Sequence, residues 1–345
     1  MYARQAPSQP GMRDATIEPD KACPHRRKMI DRDSSYSSIH TSRTGKASDK
    51  WDLYLDVYDR LLDQKGRKGE VLTILEIGIQ NGGSLETWAE LMPFAQKIIG
   101  CDIDQQCQNL VFDDPRISTI IGDANTDHTE ALIRQASPAY DLAIDDGSHT
   151  SRDIIGNFIR YFPLLNPGGT YIAEDLHCCY WREYGGGLGA AESGIEFFKL
   201  LVDCINSNNW GRSDIDATSY ISGLSSTQQL NMSEESLGSI SSIQFFDSLC
   251  IIQKAGCGLP SRIGTRVVSG DLPQVEAAVL ALNGNTLLSP DQSNNRWINP
   301  QASAARIRQL EQQLACVLSS RSWRLTEPFR KVVRKVRSII SDSNE

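Results

Sequence analysis

Between residues 47 and 254 the chain alternates short apolar runs with stretches whose apolar residues recur every third or fourth position. The first amphipathic stretch, 47–62, carries Trp51, Tyr54, Leu55, Tyr58, Leu61 and Leu62 on one stripe and predicts a helix. Its simplest role is to cover one face of a sheet; the alternative also puts Lys50 or Trp51 beside a ligand. Apolar runs at 71–77, 97–102, 116–122, 140–146 and 170–174 are short enough to be buried strands. Between them, 84–91, 126–135 and 150–165 have helical spacing, the last stopped near Pro167-Gly168-Gly169. A helix is expected over 195–205, and the runs 240–246 and 249–254 meet across Asp247-Ser248 as an antiparallel hairpin.

Strands alternating with helices predict an α/β fold: a doubly wound, mostly parallel, Rossmann-like sheet ending in the antiparallel hairpin. Ligands of such sheets bind outside the carboxyl ends of the strands. Here Glu76, Asp102, Asp123, Asp145, Asp146, Glu174 and Asp175 all fall at or just after those ends. Solubility alone does not require carboxylates gathered on one rim.

The first strand runs into Gly78 and Gly82-Gly83, a turn whose glycines let the backbone approach a ligand and reach positive φ. The G-x-x-x-G-G spacing departs from the dinucleotide G-x-G-x-x-G, and no Lys or Arg lies in the turn. Glu76 would orient the turn or meet the amino-acid part of a ligand. Asp102 is placed to accept from both hydroxyls of a ribose, with a helix cap as its alternative, although Asp104 suits the cap better. Asp123 is placed to meet the exocyclic amine of an adenine, and Asp145 is assigned to the same cofactor side. Acidic, π-rich walls suit a sulfonium better than a pyrophosphate, which favours S-adenosylmethionine (SAM) and methyl transfer over hydride transfer.

Two further clusters, Asp145-Asp146-Gly147-Ser148-His149 and Glu174-Asp175-Leu176-His177, follow neighbouring strands and face one cleft. Asp146, Glu174 and Asp175 would repel one another unless protonated or bridged by a cation, and an oxygen-only set suits Mg²⁺. Such an ion would hold a diol and lower a hydroxyl pKa, with His149 taking the proton. The segment 175–192 reads as a substrate loop, in which His177 either positions substrate or packs against Tyr180. A rival set of His149, His177 and one carboxylate would suit a non-haem iron oxygenase.

Hydrophobic content of 40% and charged content of 23% support a folded core. A net charge of −8 argues against a nucleic-acid partner held by bulk charge. Nine scattered cysteines without C-x-x-C suggest free thiols in a reducing, cytoplasmic setting, and no apolar run is long enough to span a membrane. Residues 1–45 are polar and aperiodic, which predicts a disordered arm. The domain proper covers 46–256, an irregular linker 257–300, and a helical, basic tail 301–345. In 321–337 seven basic residues face one acid, Glu327, among interleaved apolar side chains. That tail fits the anionic inner face of a membrane, a glycan-assembly partner, or a solvated helix end. Homo-oligomer formation is left open.

Taken together, LEIGIQNGGSLETW, GCDID, IDDGSH, PGGTYIAEDLHCCYWREYGGG and ISSIQFFDSLCIIQK resemble the class I SAM methyltransferases related to the macrolide-sugar O-methyltransferases. Some members of that family are labelled cephalosporin hydroxylases. The resemblance spans about 46–255 and implies a seven-stranded sheet with a reversed last hairpin. It also implies Mg²⁺ at Asp146, Glu174 and Asp175, with His149 as the base. Cys178-Cys179 depart from the family pattern, where small polar residues are expected. The segment SSRSWRLTEPFRKVVRKV separately resembles a C-terminal tag of bacterial glycan-assembly enzymes. The expected activity is O-methylation of a sugar hydroxyl on a glycan or glycoside. The alternatives are the iron oxygenase and a non-catalytic assembly scaffold.

Overall fold

The computed structural model describes residues 35–63, 73–222, 232–258, 262–293 and 295, with 314, 317–320, 323 and 326. Seven strands form one sheet in the order β3-β2-β1-β4-β5-β7-β6. These are β1 (Thr73–Ile77), β2 (Lys97–Asp102), β3 (Ile117–Ile121), β4 (Tyr140–Asp145), β5 (Leu165–Ala173), β6 (Ile240–Phe246) and β7 (Leu249–Lys254). The first five pair in parallel, and β7 runs antiparallel to both β5 and β6. The chain therefore turns back between β1 and β4, the switch point at which a doubly wound sheet opens a crevice.

Successive side chains alternate between two cores. Leu75 and Ile77 join Phe158, Tyr171 and Phe198 under α5 (Ser151–Tyr161) and α6 (Gly194–Ile205). Ile74, Ile144 and Ile172 join Tyr36, Tyr58 and Trp88 under α1 (Tyr36–Ser42), α2 (Asp52–Asp63) and α3 (Gly83–Leu91). The remaining described α-helices are α4 (Asp127–Ala136), α7 (Ala217–Ser222) and α8 (Glu234–Gly238). Side-chain caps fix several starts: Thr126 accepts from Thr129 N, Thr150 from Asp153 N, and Ser193 from Glu196 N.

Two expectations need correction. The polar arm is helical near its end, because Ser35 forms a capping box and Tyr36, fully buried, stacks 4.8 Å from both Tyr58 and Trp88. The helix expected over 150–165 stops at Tyr161, and a 3-10 turn at Phe162–Leu164 leads directly into β5. Pro163 lacks an N–H and disfavours helical backbone before it. Between α6 and the hairpin lie α7 and α8. Residues 262–293 are mostly irregular, with a short 3-10 helix at Ala277–Leu282 and a bridge between Thr265 and Thr286. Most of the basic tail lies outside the described residues. Among the described residues no helix is long and apolar enough to cross a membrane, and all seven cysteines are free.

Tyr36→Ala would empty a fully enclosed aromatic site shared by α1, α2 and α3. A loss of about 3 kcal/mol or more in urea unfolding is expected, against little change for a substitution at exposed Leu53.

Candidate active site

At the carboxyl ends of β1 to β4 the crevice widens into a cavity of about 340 Å³. Gly78, Gln80, Asp102, Asp123, Asn125, Asp146, His149 and Asp175 line it, and the segment 47–50 forms a strap along one wall. Gly78 has φ +85°, and a Cβ there would sit 1.9 Å from the Asp146 carbonyl oxygen, so only glycine lets β1 and β4 meet at this point. Gly82 and Gly83 are not lining residues. Gly82 faces Phe112, and Gly83 gives the strap its seat: its N–H donates to Ala47 O at 3.2 Å, and a Cβ would lie 2.3 Å from that oxygen. Arg43 and Lys46 pin the strap to Glu86.

The predicted cofactor residues therefore divide. Gly78, Asp102 and Asp123 line the cavity. Asp102 holds the glycine turn as well, its Oδ2 accepting from Ile79 N and Gln80 N at 2.9 Å each. Glu76 and Asp145 are not among the lining residues. Strand alternation sends Asp145 toward α5, where Asn157 donates to it at 2.9 Å and Tyr171 at 3.2 Å. It reaches the cavity through Asn157 and the Gly147 backbone, both of which line it.

The same alternation sends Glu76, Asp146 and Glu174 to the opposite face. Lys50 meets two of them: its Nζ lies 2.5 Å from Asp146 Oδ2 and 2.9 and 3.0 Å from the two Glu174 oxygens. Its side chain is 2% exposed. Tyr58 donates to Glu174 Oε1 at 2.5 Å. Burial pushes Glu174 up to about 7 and Asp146 up to about 6, with Lys50 opposing both shifts. Both Glu76 oxygens are buried without a hydrogen-bond partner, as are Tyr36 Oη and Trp88 Nε1. Ser84 and Trp88 lie near enough to favour the charged form of Glu76, yet burial dominates and raises it to about 7.

Beyond β5 the rim is built around Asp175, in the left-handed region at φ 55°. Trp51 Nε1 and Tyr54 Oη each lie 2.9 Å from its Oδ1, and His149 Nε2 lies 3.6 Å from its Oδ2. Asp146, His149 and Asp175 bring ligand atoms within 4.8 Å of one another, a group able to hold a metal ion. Glu174 stands outside that group, taken by Lys50 and Tyr58. So does His177, whose Nδ1 lies 2.5 Å from Ser248 Oγ and whose ring packs edge-on against Trp51 and Trp181 at 5.9 and 5.0 Å. His177 therefore packs on indoles rather than on Tyr180, which is exposed nearby. His177 Nδ1 also lies 3.9 Å from Asp175 Oδ1, yet among the described residues the group whose ligand atoms all fall within 4.8 Å of one another holds His149 and not His177. Trp51 and Trp181 are 60% and 48% exposed, and Tyr184 extends the row 6.0 Å beyond Trp181.

Sequence reading missed Ser248, Tyr54 and Tyr58 as site residues and gave Lys50 only a secondary role. The signal for Lys50 was its position just before the Trp51–Leu62 stripe, which faces the sheet. Ser248 was visible only as a hairpin turn.

Glu76 takes up a proton more readily folded than unfolded. The stability this gives is fully present below its ordinary value of 4.5 and is lost as pH rises through about 7. Urea unfolding should show Glu76→Gln losing less stability than the parent between pH 5 and 7.5, by roughly 2–3 kcal/mol. Equal pH slopes in the two proteins would refute this account of Glu76.

No family model matches the sequence. The 8-demethyl-8-alpha-L-rhamnosyl tetracenomycin-C 2'-O-methyltransferase of Streptomyces olivaceus is 31% identical over 167 residues, 45% of this chain and 42% of that protein. The mycinamicin VI 2''-O-methyltransferase of Micromonospora griseorubida is 33% identical over 159 residues, 43% and 38% respectively. The demethylmacrocin O-methyltransferase of Streptomyces fradiae is 28% identical over 208 residues, 55% and 52% respectively. The chain thus spans about half or less of the length of these curated relatives. Among solved structures, the MycE methyltransferase of the mycinamycin pathway, in complex with Mg, SAH and mycinamycin VI, superposes with a TM-score of 0.50 at 24% identity. That match covers 65% of this chain and 54% of MycE. With its seven strands in the order found here and its sequence kinship to sugar O-methyltransferases, the chain has the class I SAM methyltransferase fold.

Proposed function

We propose that this chain transfers the methyl group of SAM to a sugar hydroxyl, with a divalent cation, Mg²⁺, at the acceptor. The single observation that carries the reading is the convergence of Asp146, His149 and Asp175 on the mouth of the cavity under the switch point. A sulfonium fits the cavity's acidic lining, and its ribose fits Asp102. Relatives are named for O-methylating a rhamnosyl tetracenomycin-C and an L-olivosyl-oleandolide, which supports a sugar-bearing acceptor here. A glycan of the cell envelope, met on the cytoplasmic side, fits the tail's likeness to glycan-assembly enzymes.

The donor set suits magnesium. Asp146 and Asp175 offer carboxylate oxygens at one point, and a cationic group, Lys50, already stands between Asp146 and Glu174. Asp146 and Asp175 would hold the ion, with Glu174 joining if Lys50 releases it. When bound, the ion would lower the pKa of the acceptor hydroxyl. The protein's own residues do the rest. Burial holds His149 below its ordinary value, so at neutral pH its imidazole is free to take the hydroxyl proton. The Asp175 carboxylate beside Nε2 then stabilises the imidazolium. The acceptor oxygen forms its bond to the methyl carbon as the sulfur–carbon bond breaks, leaving S-adenosylhomocysteine. The row Trp51, His177, Trp181 and Tyr184 offers ring faces to the apolar side of a sugar, with Tyr180 at its margin.

Calorimetry should show SAM binding that Asp102→Ala abolishes; absence of binding in the parent would sink the methyltransferase reading. Radiolabelled transfer from SAM into cell-envelope glycans should drop by about 10²-fold or more in His149→Ala with SAM affinity kept. Survival of turnover there would remove His149 from the base role. Trp181→Ala should raise the acceptor KM several-fold with kcat nearly constant, because it removes binding shared by ground and transition states.

A further inference from the structure

The Lys50 ammonium has three donors and meets three carboxylate oxygens, Asp146 Oδ2 at 2.5 Å and both oxygens of Glu174 at 2.9 and 3.0 Å. It is enclosed, and it is delivered by the strap, which belongs to neither strand that carries the acids. We infer that Lys50 is a resident cation that holds the divalent-ion position in the metal-free protein and is exchanged for the ion when metal binds. This rests on the magnesium reading above and adds to it a role for a residue of this chain.

The argument is one of excluded charge. Magnesium binds oxygen at about 2.0–2.1 Å. An ion on Asp146 Oδ2 would share that oxygen with an ammonium 2.5 Å from it, so one carboxylate would have to serve two cations. Their mutual repulsion at such separation, in a buried site, opposes holding both there at once. Lys50 also explains why Glu174 is missing from the ligand-like group. Its two oxygens are turned to the ammonium and to Tyr58. Once Lys50 leaves, Glu174 loses its partner at the moment the ion offers a new one. The lysine has somewhere to go, because it already lines the cavity together with Ala47, Ser48 and Asp49. Four rotatable bonds in its side chain let the ammonium swing there without moving α2.

The test uses the full chain. Equilibrium dialysis fixes the MgCl₂ concentration that saturates the protein. Trace acetylation with acetic anhydride, read by mass spectrometry, then compares Lys50 with and without that concentration, using Lys97 and Lys199 as internal references. Exchange predicts that Lys50 labelling rises about tenfold or more on metal binding while the references stay constant. It also predicts that Lys50→Met binds Mg²⁺ about tenfold more tightly, since no ammonium has to be expelled. Lys50 remaining shielded at saturating Mg²⁺ overturns the exchange and makes it a fixed neighbour of the ion. If dialysis finds no Mg²⁺ bound to either protein, the metal reading itself falls, and the exchange with it. Should Lys50→Met fail to fold, the labelling of the parent protein still decides.

Discussion

Burying Glu76, Asp146 and Glu174 on one face of a parallel sheet gathers three carboxyl groups around a single cation, the Lys50 ammonium. Isolated charges in such a place are costly, and the protein meets the cost in several ways. Lys50 pairs two of the three, Tyr58 donates to one, and all three are raised toward neutrality by burial. Everything on the α1–α3 side follows from keeping this cluster closed. The strap must cross Gly83 to deliver Lys50, and α1 must bring Tyr36 over Trp88 to seal the base. The arrangement resembles a site kept ready for a cation more than one optimised for stability, because an apolar core would serve stability better.

Around Asp175 the constraint is backbone strain. Among the described residues four non-glycine positions have positive φ: Gln80, His149, Asp175 and Ser248. Two of them belong to the ligand-like group, Ser248 touches His177 and Tyr54, and Gln80 lines the cavity. Such conformations cost of order 1–3 kcal/mol each and persist only where the surroundings fix them. Here the fixing bonds are visible. Asp175 N donates to Tyr54 Oη at 2.9 Å, and Leu176 N donates to Ser248 O at 2.8 Å. The reversed last hairpin thus does more than finish the sheet: its turn holds the loop that carries Asp175 and His177.

Much of this was legible in the chain. The apolar runs located all seven strands, and the acids at their ends marked the rim. Period-two alternation, applied from Ile74 and Leu75 onward, would also have separated Asp145 from Asp146. One goes to Asn157 and Tyr171, the other to Lys50. The glycine turn was found, but the seats that Gly82 and Gly83 give to Phe112 and Ala47 were not, since such packing leaves no local trace. Lys50, Tyr58 and Ser248 were hard to see for the same reason. Each acts on a residue far along the chain, and no spacing rule links a strap, a helix and a hairpin tip. Tyr36 was hidden by its polar neighbours, in a segment whose composition suggested no fixed structure.

The sequence separation of the Lys50 contacts has a consequence for how the molecule is made. Lys50 finds its partners 96 and 124 residues further on, so this contact closes only after β4 and β5 exist. During synthesis the strap and α2 emerge before the strands, with α1 to pack against but with neither carboxylate yet made for the ammonium. Contacts of such span form late, because loop closure comes before any gain from pairing. The wall of the cavity made by the strap is thus among the last parts to be set, and a nascent chain halted before Glu174 would hold five of the seven strands with Lys50 still lacking one of its two partners.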